Sequence, residues 1–201
     1  MKKPKQAHTW DRANREWYVE ERRASEALFR VEEFEVNSIW DGCCGQGNIV
    51  LSAIAAGLNA VGSDIEDRHP VTPAWFHGER NFLTKREPLG FNFVSNPPFG
   101  GGEGIELITR HALDIVPGKV CIFAPSKFLF GDARALGFYD EFPPSRVWLL
   151  TPRVSCPPGE WLREGNKAGG GTEDFVWLVW EPRDQMSLSR PTELNWLRTK
   201  I

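Results

Sequence analysis

Apolar residues fall along this chain in short runs separated by glycine, proline and charge, and most runs have the length of a buried strand. Predicted strands are Val36-Asn37-Ser38-Ile39-Trp40, Asn59-Ala60-Val61-Gly62-Ser63, Phe91-Asn92-Phe93-Val94, Val120-Cys121-Ile122-Phe123-Ala124, Val147-Trp148-Leu149-Leu150 and Phe175-Val176-Trp177-Leu178-Val179-Trp180. A further short strand ends at Arg80-Asn81-Phe82-Leu83. Helical spacing predicts helices over 21–31, from Ile49 to a stop at Gly57, and over 103–115. Residues 67–77 read as loop or a broken helix, and 128–142 as one helix and a turn. Strands alternating with helices predict an α/β fold: seven strands, mostly parallel, with helices on both faces and a C-terminal antiparallel hairpin. Residues 1–16 are expected to be loosely held, the polar tail 182–201 to be partly disordered, and 151–174 to be a long loop rich in Pro and Gly.

Composition narrows the picture in a few respects. A length of 201 residues suits one domain with a proper core. No apolar run is long enough to span a bilayer, and no apolar segment follows the basic Met1-Lys2-Lys3-Pro4-Lys5, so the cytoplasm is the expected location. A net charge of −3 argues against a general polyanion binder; nucleic acid would need a local basic patch. Cys43, Cys44, Cys121 and Cys156 lack metal or disulfide spacing and read as buried thiols, and no metal is expected. The four histidines are scattered and receive no role.

The candidate chemistry gathers at the exits of the predicted strands. The first strand runs into Asp41-Gly42-Cys43-Cys44-Gly45-Gln46-Gly47-Asn48 and then a helix, a nucleotide-binding arrangement. Gly45 and Gly47 allow close approach of a ligand. The Asp41 carboxylate repels phosphate and attracts an ammonium, and no Gly-Lys-Ser/Thr follows. Asp64 ends the second strand about 20 residues past the glycine loop, where a carboxylate accepts hydrogen bonds from ribose hydroxyls. After Phe91–Val94 come Ser95-Asn96-Pro97-Pro98-Phe99 and a glycine triplet. The prolines end the strand and hold Asn96 at a rigid corner. Asn96 Oδ1 and the Pro97 carbonyl offer acceptors, and Phe99 offers a flat face, which together suit a planar amino group on a ring.

Asn96-Pro97-Pro98-Phe99 resembles the catalytic motif of S-adenosylmethionine-dependent amino-methyltransferases, whose usual form is Asp/Asn-Pro-Pro-Tyr/Phe. The order, glycine loop before catalytic motif, agrees, and the resemblance covers roughly residues 17–181. It implies a Rossmann-like methyltransferase fold, S-adenosylmethionine as cofactor, and methylation of an exocyclic base amine, with N6 of adenine in DNA the leading target, as in small phage and prophage enzymes. It implies cofactor contacts from Tyr18, from Asp41 near the amino-acid end, and from Asn81 and Phe82 near the adenine; Asn81 departs from the usual acid. Base amines of RNA, a protein glutamine amide and a non-catalytic cofactor-binding module are the alternatives. Lys127, at a strand exit, and Arg153, Arg163 and Lys167, in the long loop, are the candidate phosphate contacts. No spare segment of ~80 residues remains for a separate target-recognition domain, so specificity falls to loops, a partner or an oligomer.

Overall fold

The computed structural model describes residues 16–169, 171–186 and 190–200; the expectation for 1–16 therefore lies, Glu16 apart, outside the described residues. An extended strap, 17–21, leads into α1 (Arg22–Val31). Then follow β1 (Ile39–Asp41), α2 (Asn48–Ala55), β2 (Ala60–Asp64), β3 (Phe76–Glu79) and β4 (Asn92–Ser95). The second half holds α3 (Glu103–Ile115), β5 (Val120–Pro125), α4 (Tyr139–Glu141), β6 (Arg146–Thr151), α5 (Gly159–Arg163), β7 (Phe175–Trp180) and β8 (Glu193–Arg198).

The strands form one eight-stranded sheet in the order β3-β2-β1-β4-β5-β7-β6-β8. β1 to β5 run parallel, β7 is antiparallel to both β5 and β6, and β8 is parallel to β6. Successive strands step outward one way from β1 to β3 and the other way from β4 to β5. A crevice therefore opens at the carboxyl ends of β1 and β4, which is where such sheets bind ligands. Helices cover both faces, so β5 and β7 are buried along their whole length and read as unbroken apolar runs. Alternate residues of β7 enter opposite layers. Val176, Leu178 and Trp180 join Trp40, Phe93 and α3; Phe175, Trp177 and Val179 join Ile39, Phe123, α1 and α2.

Three expectations need correction. The sheet has eight strands rather than seven, because part of the polar tail, in which no strand is expected, forms β8 beside β6. Of its six residues, Leu197 is the one that is buried, so the segment carries no period-2 signal. The third strand is Phe76–Glu79, ahead of Arg80–Leu83. Asn81 Oδ1 instead accepts from Leu83 N at 3.1 Å and caps a 3-10 turn over Phe82–Thr84. Between β5 and β6, a 3-10 turn (Ser126–Phe130) and a π-helical turn (Arg134–Phe138) lead into the short α4 in place of one helix.

α1, which carries the strap, is pinned to the sheet by buried polar groups. Trp177 Nε1 donates to the Ala24 carbonyl at 3.0 Å. Glu32, just past α1, accepts from Lys119 Nζ at 2.7 Å and from Arg146 Nε and Trp148 Nε1, each at 2.8 Å. Burial would raise the Glu32 carboxyl pKa, but these donors outweigh it and hold the group below its usual value. Glu32→Ala leaves Lys119 and Arg146 short of a buried counter-charge and should cost about 3–5 kcal/mol. Urea denaturation at pH 7 measures this; an unchanged midpoint would mean that the cluster does not hold α1 in place.

Candidate active site

Two corners of the chain and the strap enclose a cavity of about 260 Å³ at the crevice. β1 ends in Asp41, whose Oδ1 accepts from Ser95 Oγ at 2.6 Å and from Cys43 N at 3.1 Å. The exits of β1 and β4 are thus tied together by a buried carboxylate. Asp41 is only 1% exposed. Burial pushes its carboxyl well up, the Ser95 bond pulls it back, and the nearby acids Glu20 and Asp64 push it up again.

Asp64, at the end of β2, shapes the glycine loop. Its Oδ2 accepts from Gly45 N at 2.8 Å and its Oδ1 from Glu66 N at 3.2 Å, with Arg68 Nε 3.9 Å away. Gly45 has φ +52, and an added Cβ would lie 3.1 Å from Trp17 Nε1. Gly47 also needs its hydrogen: at φ +83 an added Cβ would fall 2.2 Å from the Trp75 ring. Its glycine is required by packing, and it is not among the lining residues.

The strap closes the remaining side. Val19 N donates to the Pro157 carbonyl at 2.9 Å, Gly159 N to the Trp17 carbonyl at 3.0 Å, and Glu21 N to the Ser155 carbonyl at 3.2 Å. Part of the segment expected as one long loop is therefore paired backbone, and α5 follows it. The strap delivers Tyr18 and Glu20 to Asn96. Asn96 Nδ2 donates to Glu20 Oε2 at 2.8 Å and to the Tyr18 carbonyl at 3.0 Å, with Cys156 Sγ at 3.6 Å. Those neighbours are acceptors, so the amide is oriented with its nitrogen toward them. Its Oδ1 is buried and has no hydrogen-bond partner among the described residues. A buried acceptor without a donor costs about 1–3 kcal/mol. It is the atom to which a donor on a ligand is best matched.

Of the residues expected from the sequence, Tyr18, Asp41, Gly45, Asp64, Asn96 and Pro98 line this cavity, as do Asn81 and Phe82. Pro97 is buried and is not among the lining residues. Phe99 stacks on Tyr18, with ring centroids 5.4 Å apart and planes within 11°. The four candidate phosphate contacts do not line the cavity. Lys127 lies 3.2 Å from Glu173, and Arg153 lies 2.6 Å from Asp174. Lys167 is exposed. Arg163 comes nearest to the cavity wall: its guanidinium sits 4.5 Å from the Trp17 ring and donates to the Arg68 carbonyl at 2.8 Å. Sequence reasoning missed Glu20, Ser95 and Cys156. The one available signal was a carboxylate, Glu20, closing the apolar stretch Trp17-Tyr18-Val19.

The sequence matches no family model and no curated protein. The fold has counterparts among solved structures. One is a protein from Listeria monocytogenes assigned as a class I S-adenosylmethionine-dependent methyltransferase (TM-score 0.57, 15% identity, 87% of this chain and 62% of that one). A second is a modification subunit from Vibrio vulnificus YJ016 assigned to a type I restriction enzyme (TM-score 0.59, 15% identity, 87% and 45%). A third is the branched-chain polyamine synthase of Thermus thermophilus, in complex with N4-aminopropylspermidine and 5'-methylthioadenosine (TM-score 0.56, 12% identity, 90% and 62%). This chain spans less than two thirds of the length of each. At such identities the likeness establishes the fold alone, a Rossmann-like α/β fold shared with these methyltransferase neighbours; in this chain β8 lies at the edge of the sheet, beyond β6.

Glu20 gives this site a signature in stability. Burial raises its carboxyl from 4.5 to about 7, and the bonds from Asn96 and the backbone only partly oppose this. The folded protein therefore keeps this proton to higher pH than the unfolded chain. The resulting stability is fully present below about 4.5 and is lost as pH rises through about 7. Glu20→Gln removes the loss, so it should stabilise the ligand-free protein by about 1–3 kcal/mol at pH 8 and by little at pH 5. Urea denaturation at both values tests this. An equal effect at the two pH values would mean that Glu20 is not buried as a carboxyl group.

Proposed function

We propose that this protein is an S-adenosylmethionine-dependent methyltransferase acting on an exocyclic amine, with N6 of adenine in DNA as the leading substrate. The observation that carries the reading is the Asn96 amide on the cavity wall: its nitrogen is held by the strap, and its oxygen is buried and has no partner among the described residues. The fold supports the cofactor, and the motif Asn96-Pro97-Pro98-Phe99 supports the amine. The resemblance of that motif to small phage and prophage DNA enzymes is the reason for placing DNA ahead of RNA; the structural neighbours divide between a restriction-modification subunit and a protein assigned as an RNA methyltransferase.

The residues present fit the cofactor. Asp41 and Glu20 are carboxylates facing the cavity, suited to a cationic ligand; Asp64 suits ribose hydroxyls; Asn81, Phe82 and Tyr18 supply further walls. S-adenosylmethionine supplies, when bound, a methyl group activated by a sulfonium. What the chain itself does is alignment and charge stabilisation. The lone pair of a base amine is conjugated into its ring. A hydrogen bond from the amine to Asn96 Oδ1 favours a pyramidal nitrogen and stabilises the positive charge that grows on it as the N–C bond forms. The nitrogen then gives up one proton to solvent. Phe99 offers the face on which the base stacks, beside or in place of the Tyr18 ring. In a duplex the base must first leave the stack. Lys127, Arg153, Arg163 and Lys167 are the proposed contacts to the phosphates, and each is weak alone.

Methyl-tritiated S-adenosylmethionine should be offered with separate pools of duplex DNA, single-stranded DNA, RNA and protein. Label is expected in DNA, recovered as N6-methyladenine after digestion. Label in RNA or protein would move the substrate to those classes, and label nowhere would leave a cofactor-binding module. Calorimetry with the demethylated cofactor should show binding that Asp64→Ala weakens about tenfold or more, since hydrogen bonds to a charged group contribute roughly 1.5–3 kcal/mol. Equal affinity in the variant would remove Asp64 from the site.

A further inference from the structure

Glu20 is 5% exposed, and the side-chain donor that meets it is the uncharged amide of Asn96. Burying a carboxylate against a neutral donor is an expensive arrangement. Asn96 does not need a charge merely to hold its place, because the Tyr18 carbonyl already accepts from the same nitrogen at 3.0 Å. What a carboxylate adds is polarisation. Hydrogen bonds in series strengthen one another, and a negative acceptor on Nδ2 shifts electron density toward Oδ1.

We propose that Glu20 is a positioning residue for amine methylation: its ionised carboxylate, 2.8 Å from Asn96 Nδ2, holds the amide with its nitrogen toward the strap and makes the unpartnered Oδ1 a stronger acceptor for the charged nitrogen of the transition state. The proposal rests on the reading that Oδ1 receives the amine. A neutral Glu20 loses the polarising charge and presents a hydroxyl that competes as a donor, so the rate follows the ionised fraction. Burial lifts the Glu20 carboxyl to about 7 in the free protein, which puts this titration within reach of experiment.

Several other titratable or charged groups face the same space. From the β1 and β2 exits come Asp41 and Asp64, whose carboxyls are raised first by burial, with Cys43 and Cys44 beside them. Arg68 and Arg80 face the cavity from beyond β2 and β3, and Glu16 from just before the strap. The thiol of Cys156, pushed up by burial, lies against Asn96 from the loop side. Glu21, the next residue of the strap, is turned away toward Arg23 and Ser155. Comparing a variant that changes Glu20 alone isolates its part.

The test is single-turnover methylation of duplex DNA from pH 5.5 to 9 at saturating S-adenosylmethionine, with folding checked by thermal denaturation. The native protein should lose rate about tenfold per unit below its apparent inflection. Glu20→Gln preserves an acceptor for Nδ2 but no charge. It should fall at least tenfold at pH 8, lose the acid limb between pH 6 and 8, and keep its KM for DNA within threefold. Glu20→Asp should restore the limb at an intermediate rate. A Glu20→Gln rate within twofold of native with the limb intact overturns the proposal. So does a defect confined to cofactor affinity that disappears at saturation. If the native protein methylates no amine at all, the proposal falls together with the functional reading; if it does and Glu20→Gln is unaffected, only the role of Glu20 falls.

Discussion

The Asn96 amide is where three distant parts of the chain meet, and the site exists because they meet. Its nitrogen contacts residues 78, 76 and 60 positions away in the sequence: Tyr18, Glu20 and Cys156. None of these contacts is local. They require the strap to lie across the crevice, and the strap lies there because its backbone pairs with residues 155–159. The strap continues into α1, which is fixed to the sheet near its start by Trp177, donating to the Ala24 carbonyl, and past its end by Glu32. Stability of the core and geometry of the site are therefore linked through one short segment of extended chain.

The electrostatics of the cavity follow from the same assembly. Three carboxylates, Glu20, Asp41 and Asp64, are each buried around one space, and all have their carboxyls raised above the usual value. Burial is the first cause in each, and at Asp41 the neighbouring Glu20 and Asp64 add to it, so a cation within the site is favoured. This suits a ligand that carries an ammonium and a sulfonium. The thiols around the cavity are pushed up by burial, which leaves them neutral and poor nucleophiles. The chemistry left to the chain is orientation, charge complementarity and exclusion of water.

Much of this was legible in the sequence where a residue type has few uses. Proline twice after a strand, glycine at a loop and carboxylates at strand ends constrain the backbone locally, and Asn96, Gly45, Asp41 and Asp64 stand where those constraints place them, at the strand exits of the crevice. Unbroken apolar runs marked the central strands, β5 and β7, because a sheet covered on both faces buries every side chain. Signals failed where structure is set by partners. β8 forms through pairing with β6 and buries Leu197, leaving Leu194 and Trp196 exposed. Gly47 owes its glycine to an indole, Trp75, far along the chain. Glu20 drew no attention because its importance lies in an amide 76 residues away. Arg153 and Lys127 were chosen for charge alone, and in the fold each already faces an acid.

The central claim is that a buried, oriented amide oxygen at Asn96 receives the amine. It is tested most directly by single-turnover methylation with Asn96→Ala, with cofactor affinity measured in parallel. The account predicts that cofactor binding survives within a few fold while methyl transfer falls by two to three orders of magnitude, on the order of 3–4 kcal/mol of lost transition-state stabilisation. Asn96→Asp, which keeps an acceptor oxygen, should retain measurable transfer. Normal transfer by Asn96→Ala would contradict the account and place the amine elsewhere.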